Sequence, residues 1–386
     1  MAKLFVLITV IYWFSLYVYM PILTPYVEGL GASLSMVGLV VGSYGFTQML
    51  IRIPLGIYSD RIGKRKIFVI AGVACAALSC IGLGFASAPW LALIFRGAAG
   101  VAAAAWVVFT VLYSSYFPPE ETGRAMSAIM FATSLGQLLG TTLGGFVADA
   151  LGYKAPFVIG GVVGLIGLIL STKLTETGFR KEPIQLKTLL QVGKDPELWK
   201  VSLLAVLAQA INFVTIYGFN QSYAVSIGAG DRQLTYLMMF SALAIAVGSQ
   251  RSGAAAAKIG ERQLILLSFI LMGFGSIAVP FTDKIWILYI TQALNGIGRG
   301  LIFPVLMSQS IRAVAPEKRS TAMGFFQAIY GIGMTLGPVI AGWFSDLWGM
   351  SAGYLTAGAF GLLGCIAVIQ WSLPGLSVKI TSKGDE

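Results

Sequence analysis

The sequence predicts an all-α membrane protein of twelve transmembrane helices, arranged as two pseudo-symmetric bundles of six. Three observations predict it. The chain of 386 residues is 57% hydrophobic and only 11% charged, against roughly 25% charged in soluble domains. Its apolar residues fall into runs near the ~20 residues needed to cross a bilayer. Landmarks in the first half recur 197 residues later in the second.

The runs occupy 4–27, 34–58, 67–87, 90–116, 125–149, 154–172, 199–223, 233–256, 262–281, 285–311, 320–345 and 352–373. They are long and rich in Gly and Ala, without period-two alternation, so they are helices and not strands. Lys3 precedes an apolar stretch reaching Tyr26. That exceeds the roughly 7–15 residues of a signal-peptide core and no small-residue cleavage site follows, so it is the first span. The least apolar stretch, 173–198, divides the chain. The expected domains are an N-terminal bundle 1–172, a cytoplasmic linker 173–198, a C-terminal bundle 199–373 and a cytoplasmic tail 374–386. Within the linker, Ile184 to Val192 is expected as a short surface helix.

Lys and Arg orient the spans, because cytoplasmic loops carry the positive excess. With the N-terminus inside, nineteen of the 26 basic residues face inward. Lys154, Arg232 and Lys284 face outward, and Arg52, Arg96, Arg251 and Arg299 lie within spans. The expected location is the plasma (inner) membrane, with both termini cytoplasmic. The formal charge of +10 thus belongs to topology. Basic runs interleaved with aromatics are missing, which excludes a nucleic-acid partner; the lipid bilayer is the partner. Cys75, Cys80 and Cys365 lie in apolar runs with no CxxC, and the chain has no His. No metal site and no cofactor are implied. Without His or a buried carboxylate a catalytic constellation is missing as well, so the protein is not expected to be an enzyme.

The repeat is visible at several points. Gly144–Gly152 (GGFVADALG) matches Ala341–Gly349 (AGWFSDLWG), pairing Asp149 with Asp346. Met126 pairs with Met323, and Gly136 and Gly140 pair with Gly333 and Gly337. Gly56-Ile-Tyr-Ser-Asp60-Arg61-Ile-Gly63-Lys64-Arg65 follows the second span, and a degenerate copy begins at Gly253. This segment resembles the loop between helices 2 and 3 of the major facilitator superfamily (MFS), and the resemblance extends over the whole chain. It implies the MFS fold, a monomer, and secondary transport by rocking of two halves about a central site.

The resemblance assigns a gating role to the loop: Gly56, Asp60, Arg61, Gly63, Lys64 and Arg65. Gly56 is expected to let the second helix pack closely and Gly63 to permit a sharp turn. Asp60 can pair with a cation or a helix N-terminus, and in the family such contacts clamp the cytoplasmic ends of the halves. Lys64 and Arg65 also fit a purely topological role. In the second copy Ala257 replaces the acid and Glu261 takes a basic position, so that latch is expected to be weaker. Arg96, in Arg96–Gly100 (RGAAG), is similar to an arginine of the family's fourth helix; it is expected near the outer end of its span. The resemblance implies a role in proton transfer that needs an acidic partner, and none is evident.

Ionisable groups within spans are costly and mark functional positions. Arg299 falls near mid-membrane in the tenth span, and Gln292, Asn295, Arg299 and Phe303 share a helical face. In the resembled family this helix lines the cavity, as do the first, fourth and seventh. Tyr44, Gln48 and Arg52 form a stripe on the second span. The seventh span offers Gln209, Asn212 and Asn220, and the first Tyr12, Ser15 and Tyr19. The candidate substrate-binding set is therefore Arg299, Asn295, Gln292, Gln209, Asn212, Tyr12, Tyr19, Gln48 and Arg52. Packing and interhelical hydrogen bonding would account for the neutral members equally well.

No span interior contains Asp, Glu or His; Glu28, Asp60, Asp149 and Asp346 lie at span ends. A cation carrier normally needs an embedded carboxylate. The expected function is thus secondary active or facilitative transport of a small organic solute, anionic by preference, with protons as a candidate coupling ion. Alternatives are a proton-coupled exporter of drugs or hydrophobic metabolites, and a neutral, sugar-like carrier.

Overall fold

The computed structural model describes residues 1–176, 191–312, 314–315 and 318–371. Twelve membrane-length helical segments are present among them. They are α1 (Ala2–Gly29), α2 (Leu34–Ile62), α3 (Arg65–Gly84), α4 (Pro89–Ser114), α5 (Thr122–Leu151), α6 (Lys154–Ser171), α7 (Pro196–Ser226), α8 (Asp231–Ile259), α9 (Glu261–Ile277), α10 (Ile285–Arg312), α11 (Arg319–Trp348) and α12 (Met350–Gln370). Ten carry a continuous apolar window; α8 and α10 are interrupted by more polar residues. The helix expected over Ile184–Val192 falls largely outside the described residues, and the tail 374–386 lies wholly outside them.

Local chemistry sets the breaks. In α1 the helix stops at Tyr17, passes through a 3-10 turn at Met20–Ile22, and resumes at Leu23. Pro21 in that turn has no N–H to continue the α-helical ladder. Helix α2 begins where the Ser33 hydroxyl accepts from the Met36 N–H, a helix N-cap. It ends at Gly63 with φ 69°, a left-handed conformation that favours glycine. The repeat-related Gly260 shares the positive φ, at 86°, but its ψ of 146° puts it outside the left-handed helical region. Helix α7 starts on Asp195, whose carboxylate accepts from the Glu197 and Leu198 N–H groups. Its register slips through a π-helical turn at Thr215–Phe219, where Gly218 has φ −110° and ψ −109°.

The duplication is repeated in the packing. Gly136 and Gly140 of α5 press on the backbone of Val10 and Phe14 in α1; Gly333 and Gly337 of α11 press on Val206 and Ala210 in α7. Small residues permit such backbone approach, which drives helix association in lipid. Between the halves, α2 crosses α11 and α5 crosses α8. Large apolar side chains cover the outside of the bundle, among them Phe131 at 68% exposure and Leu362 at 63%. A surface this apolar is stable against hydrocarbon, not water.

Candidate functional site

With inner and outer faces labelled by the charge asymmetry above, the candidate site lies just outward of the bundle centre, where α1, α2, α4, α7 and α10 meet. Arg299 is near the midpoint of α10. Its Nη1 donates to Asn212 Oδ1 of α7 at 3.1 Å, and Asn212 Nδ2 donates to Gln209 Oε1 at 3.3 Å. Three sequence candidates thus form one relay. Arg299 also lies 5.9 Å from the ring centre of Tyr217 and 5.8 Å from that of Phe303, within cation–π range.

Across the interface, Arg96 lies about 8 Å outward of the α4 midpoint, from the 1.5 Å rise per residue. Its neighbours are aromatic rings and a phenol, and no acid pairs with it among the described residues. Arg96 is 3% exposed, its Nη1 donates to the Tyr19 hydroxyl at 2.8 Å, and it sits 4.4 Å over the Tyr44 ring. A small cage of Leu16, Tyr17, Met20, Tyr44, Phe213 and Tyr217 encloses it. The free volume there is about 10 Å³, room for at most one water. Two aromatic contacts close it across the halves: Tyr17 to Tyr217 at 6.3 Å and Tyr44 to Phe213 at 6.2 Å between ring centres.

Arg52 lies further inward on α2. Its Nη1 donates to Gln327 Oε1 at 2.7 Å and reaches the Tyr330 hydroxyl at 3.4 Å; both belong to α11. Its Nε is buried without a partner among the described residues. Gln48, one turn away, is buried beside it.

Other candidates are placed elsewhere. Tyr12 is fully buried inside the N-terminal half, where its hydroxyl donates to Ala102 O and its ring stacks on Phe109; it does not face the site. Gln292 accepts from Ser241 of α8 at 2.9 Å. Asn295 donates to Thr291 O at 3.1 Å and accepts from Ser276 of α9 at 3.4 Å. Neither shares the environment of Arg299. Helices cross at an angle, so one stripe meets different neighbours along its length: α7 at Arg299, α9 at Asn295 and α8 at Gln292. Asn220 lies beyond the π turn, fully buried, with both amide atoms unpaired among the described residues, apart from Gln209 and Asn212.

The gating loop also differs from expectation. Asp60 Oδ1 accepts from Arg65 Nη2 at 2.7 Å, an ion pair within the N-terminal half, with Arg65 1% exposed. Arg61 and Lys64 are exposed. Close packing through Gly56 is corrected: a Cβ there would meet nothing nearer than Val107 at 3.8 Å. In the second copy the acid also pairs within its own half. Glu261 accepts from both terminal nitrogens of Arg312 and from Gln309 Nε2 at 2.8 Å. The acid has moved from the end of the helix before the loop to the start of the one after it.

Sequence reasoning missed Tyr17, Phe213 and Tyr217 as site residues. The one signal was a set of aromatics at mid-span, away from the interfacial belt.

The comparisons with known proteins decide the family. The Major Facilitator Superfamily model matches residues 5–249 and 201–385. The chain belongs to the Major Facilitator Superfamily. It is a multi-pass integral membrane transporter and not an enzyme. It is 25% identical over 358 residues to an uncharacterized MFS-type transporter of Methanocaldococcus jannaschii, covering 89% of this chain and 90% of that protein. A probable sugar efflux transporter of Helicobacter pylori strain G27 is 25% identical over 334 residues, covering 85% and 83%. Among solved structures, the nucleoside transporter NupG superposes with TM-score 0.79 at 15% identity, covering 96% of this chain and 100% of that one. A bacterial homologue of the human lysosomal transporter Spinster, inward-facing and occupied, gives 0.79 at 16% identity, covering 95% of each. At these identities the structures establish the fold alone.

Proposed function

We propose that this MFS member carries a small organic solute bearing an anionic group, by alternating access of a central site to the two membrane faces. One observation carries the reading. Arg96 and Arg299, one from each half, flank the aromatic layer of Tyr17, Tyr44, Phe213 and Tyr217. Arg96 sits 4.4 Å over the Tyr44 ring and Arg299 5.9 Å from that of Tyr217, and no span interior supplies an acid. A charged group desolvated at this depth is costly unless it meets a counter-charge; an anionic solute provides one and bridges the halves as it binds. The cage is nearly filled, so entry requires the inter-half ring pairs to separate. That ties binding to rocking of 1–172 against 199–373.

The neutral amides Gln209 and Asn212 and the stacking surfaces of Tyr44 and Tyr217 favour a second reading, a neutral ring-shaped solute. The Helicobacter relative, a probable sugar efflux transporter, and the nucleoside transporter NupG agree with that chemistry. A proton-coupled exporter of lipophilic cations lacks the embedded carboxylate it would use. We place both termini in the cytoplasm of a plasma (inner) membrane, on the nineteen-to-three charge asymmetry, and the carrier as a monomer, with protons the candidate coupling ion.

A thermal-shift screen of purified protein tests this, using sugar acids, sugar phosphates, free sugars, nucleosides and lipophilic cations. Stabilisation by carboxylates or phosphates that is lost in Arg299→Ala supports the anion reading. Stabilisation by sugars or nucleosides alone favours the second. Stabilisation by cations alone, unaffected by Arg299→Ala, overturns both.

A further inference from the structure

The repeated segments Gly144–Gly152 and Ala341–Gly349 are not explained by the central site. In the structure each brings a glycine and, one turn later, an aspartate to a helix of the opposite half. At Gly342 an added Cβ would strike the backbone of Leu34 and Ser35 in α2; at Gly145 it would strike Thr235 and Asp231 in α8. The aspartates then engage the start of the crossed helix. Asp346 Oδ1 accepts from the Leu34 N–H at 2.8 Å and Oδ2 from the Ser35 N–H at 3.0 Å. Asp149 Oδ2 accepts from Arg232 Nε at 2.7 Å. The partners are themselves repeat-related, since Leu34 and Ser35 stand 197 residues before Asp231 and Arg232. The two contacts stand at repeat-related positions, the first a cap on backbone N–H groups and the second a side-chain ion pair. Next to the second, burial and the neighbouring Asp231 carboxylate push the Tyr153 phenol up.

We propose that Asp149 and Asp346 are paired latches of the outer gate, holding the halves together when the outer face is closed and releasing together when it opens. This rests on the alternating-access reading above. A carboxylate on helix N-terminal N–H groups combines capping with the favourable end of the helix dipole, and the glycine brings it within reach. The inner-face acids Asp60 and Glu261 pair instead within their own halves, so this structure shows the outer latches engaged across the interface. The glycine and aspartate spacing thus encodes a clamp at the face opposite the loop that resembles the family's gating motif.

Pulsed electron spin resonance on detergent-purified full-length protein tests the proposal. The native cysteines are replaced by alanine and spin labels placed at an outer pair, Lys154→Cys with Lys284→Cys, or an inner pair, Arg124→Cys with Lys258→Cys. Removing both carboxylates, by Asp149→Ala with Asp346→Ala, should raise the outer-open to outer-closed ratio about tenfold, each alone about threefold, the scale of a lost cap or surface ion pair. The inner pair should shorten in step. An outer distribution unchanged in the double variant overturns the latch and leaves alternating access standing. An outer pair that lengthens while the inner holds its distance supports the latch and overturns alternating access. If the double variant does not survive purification, the exchange Asp149→Arg with Arg232→Asp decides. Recovery of the closed population relative to Asp149→Arg alone supports the latch, and no recovery overturns it.

Discussion

Asn212 on α7 accepts a hydrogen bond from Arg299 on α10 at 3.1 Å while donating to Gln209, so a mid-membrane guanidinium is oriented by two neutral amides one turn apart. Among the described residues its remaining donors meet no counter-ion from its own half, and it lies toward the ring of Tyr217.

Replacing Arg299 should cost binding before it costs folding. In Arg299→Ala, affinity for a stabilising carboxylate is expected to fall about tenfold or more, the scale of one charge-assisted hydrogen bond. Arg299→Lys should recover only part, because an ammonium lacks the planar fork. Isothermal titration against the best carboxylate of the thermal-shift screen reads both.

Arg96 and Arg299 should be energetically coupled if one solute bridges them. The double variant Arg96→Ala/Arg299→Ala should then lose less affinity than the two single losses added together, by more than about 0.5 kcal/mol. Strict additivity in that cycle would assign the arginines to separate roles.

Tyr12 offers a control. Tyr12→Phe removes a buried hydrogen bond to Ala102 O and should destabilise the fold by about 1 kcal/mol. Ligand affinity should not change, since the ring packs on Phe109 inside the N-terminal half. A change in affinity without loss of melting temperature would return Tyr12 to the site.

Two glycines of similar appearance should respond oppositely. A Cβ at Gly100 would strike Thr47 and the Tyr44 carbonyl of α2. Gly100→Ala is expected to destabilise by about 1–3 kcal/mol, as overpacking does. Gly56→Ala meets nothing nearer than 3.8 Å and should be neutral or stabilising by up to about 1 kcal/mol from helix propensity. Melting temperatures in detergent measure both.

The comparison of these glycines shows where sequence reading stops. Both sit in apolar helices next to residues that resemble family motifs, yet one is pinned by a crossing backbone and the other has only ordinary contact with Val107. The stripe of Gln292, Asn295 and Arg299 fails for the same reason. Helical periodicity gives an angle about one axis, and which neighbour stands at that angle changes with depth as helices cross. Arg299 was legible as an ionisable group at mid-span, and Gln209 and Asn212 as amides on one face of the seventh span, which lines the cavity in the resembled family.

The sequence by itself determined the class of molecule, the helices, the duplication, the family and the charge asymmetry that orients the chain. Each follows from quantities that add along the chain, namely apolar length, net basic residues per loop and fixed spacing. Only the tertiary structure decided that Arg96 enters the cage, that Tyr17, Phe213 and Tyr217 close it, and that Asp149 and Asp346 cross to the opposite half while Asp60 stays in its own. These depend on distances between residues far apart in sequence. Such distances are set by the small residues at each crossing and by the π turn and proline break that re-aim α7 and α1.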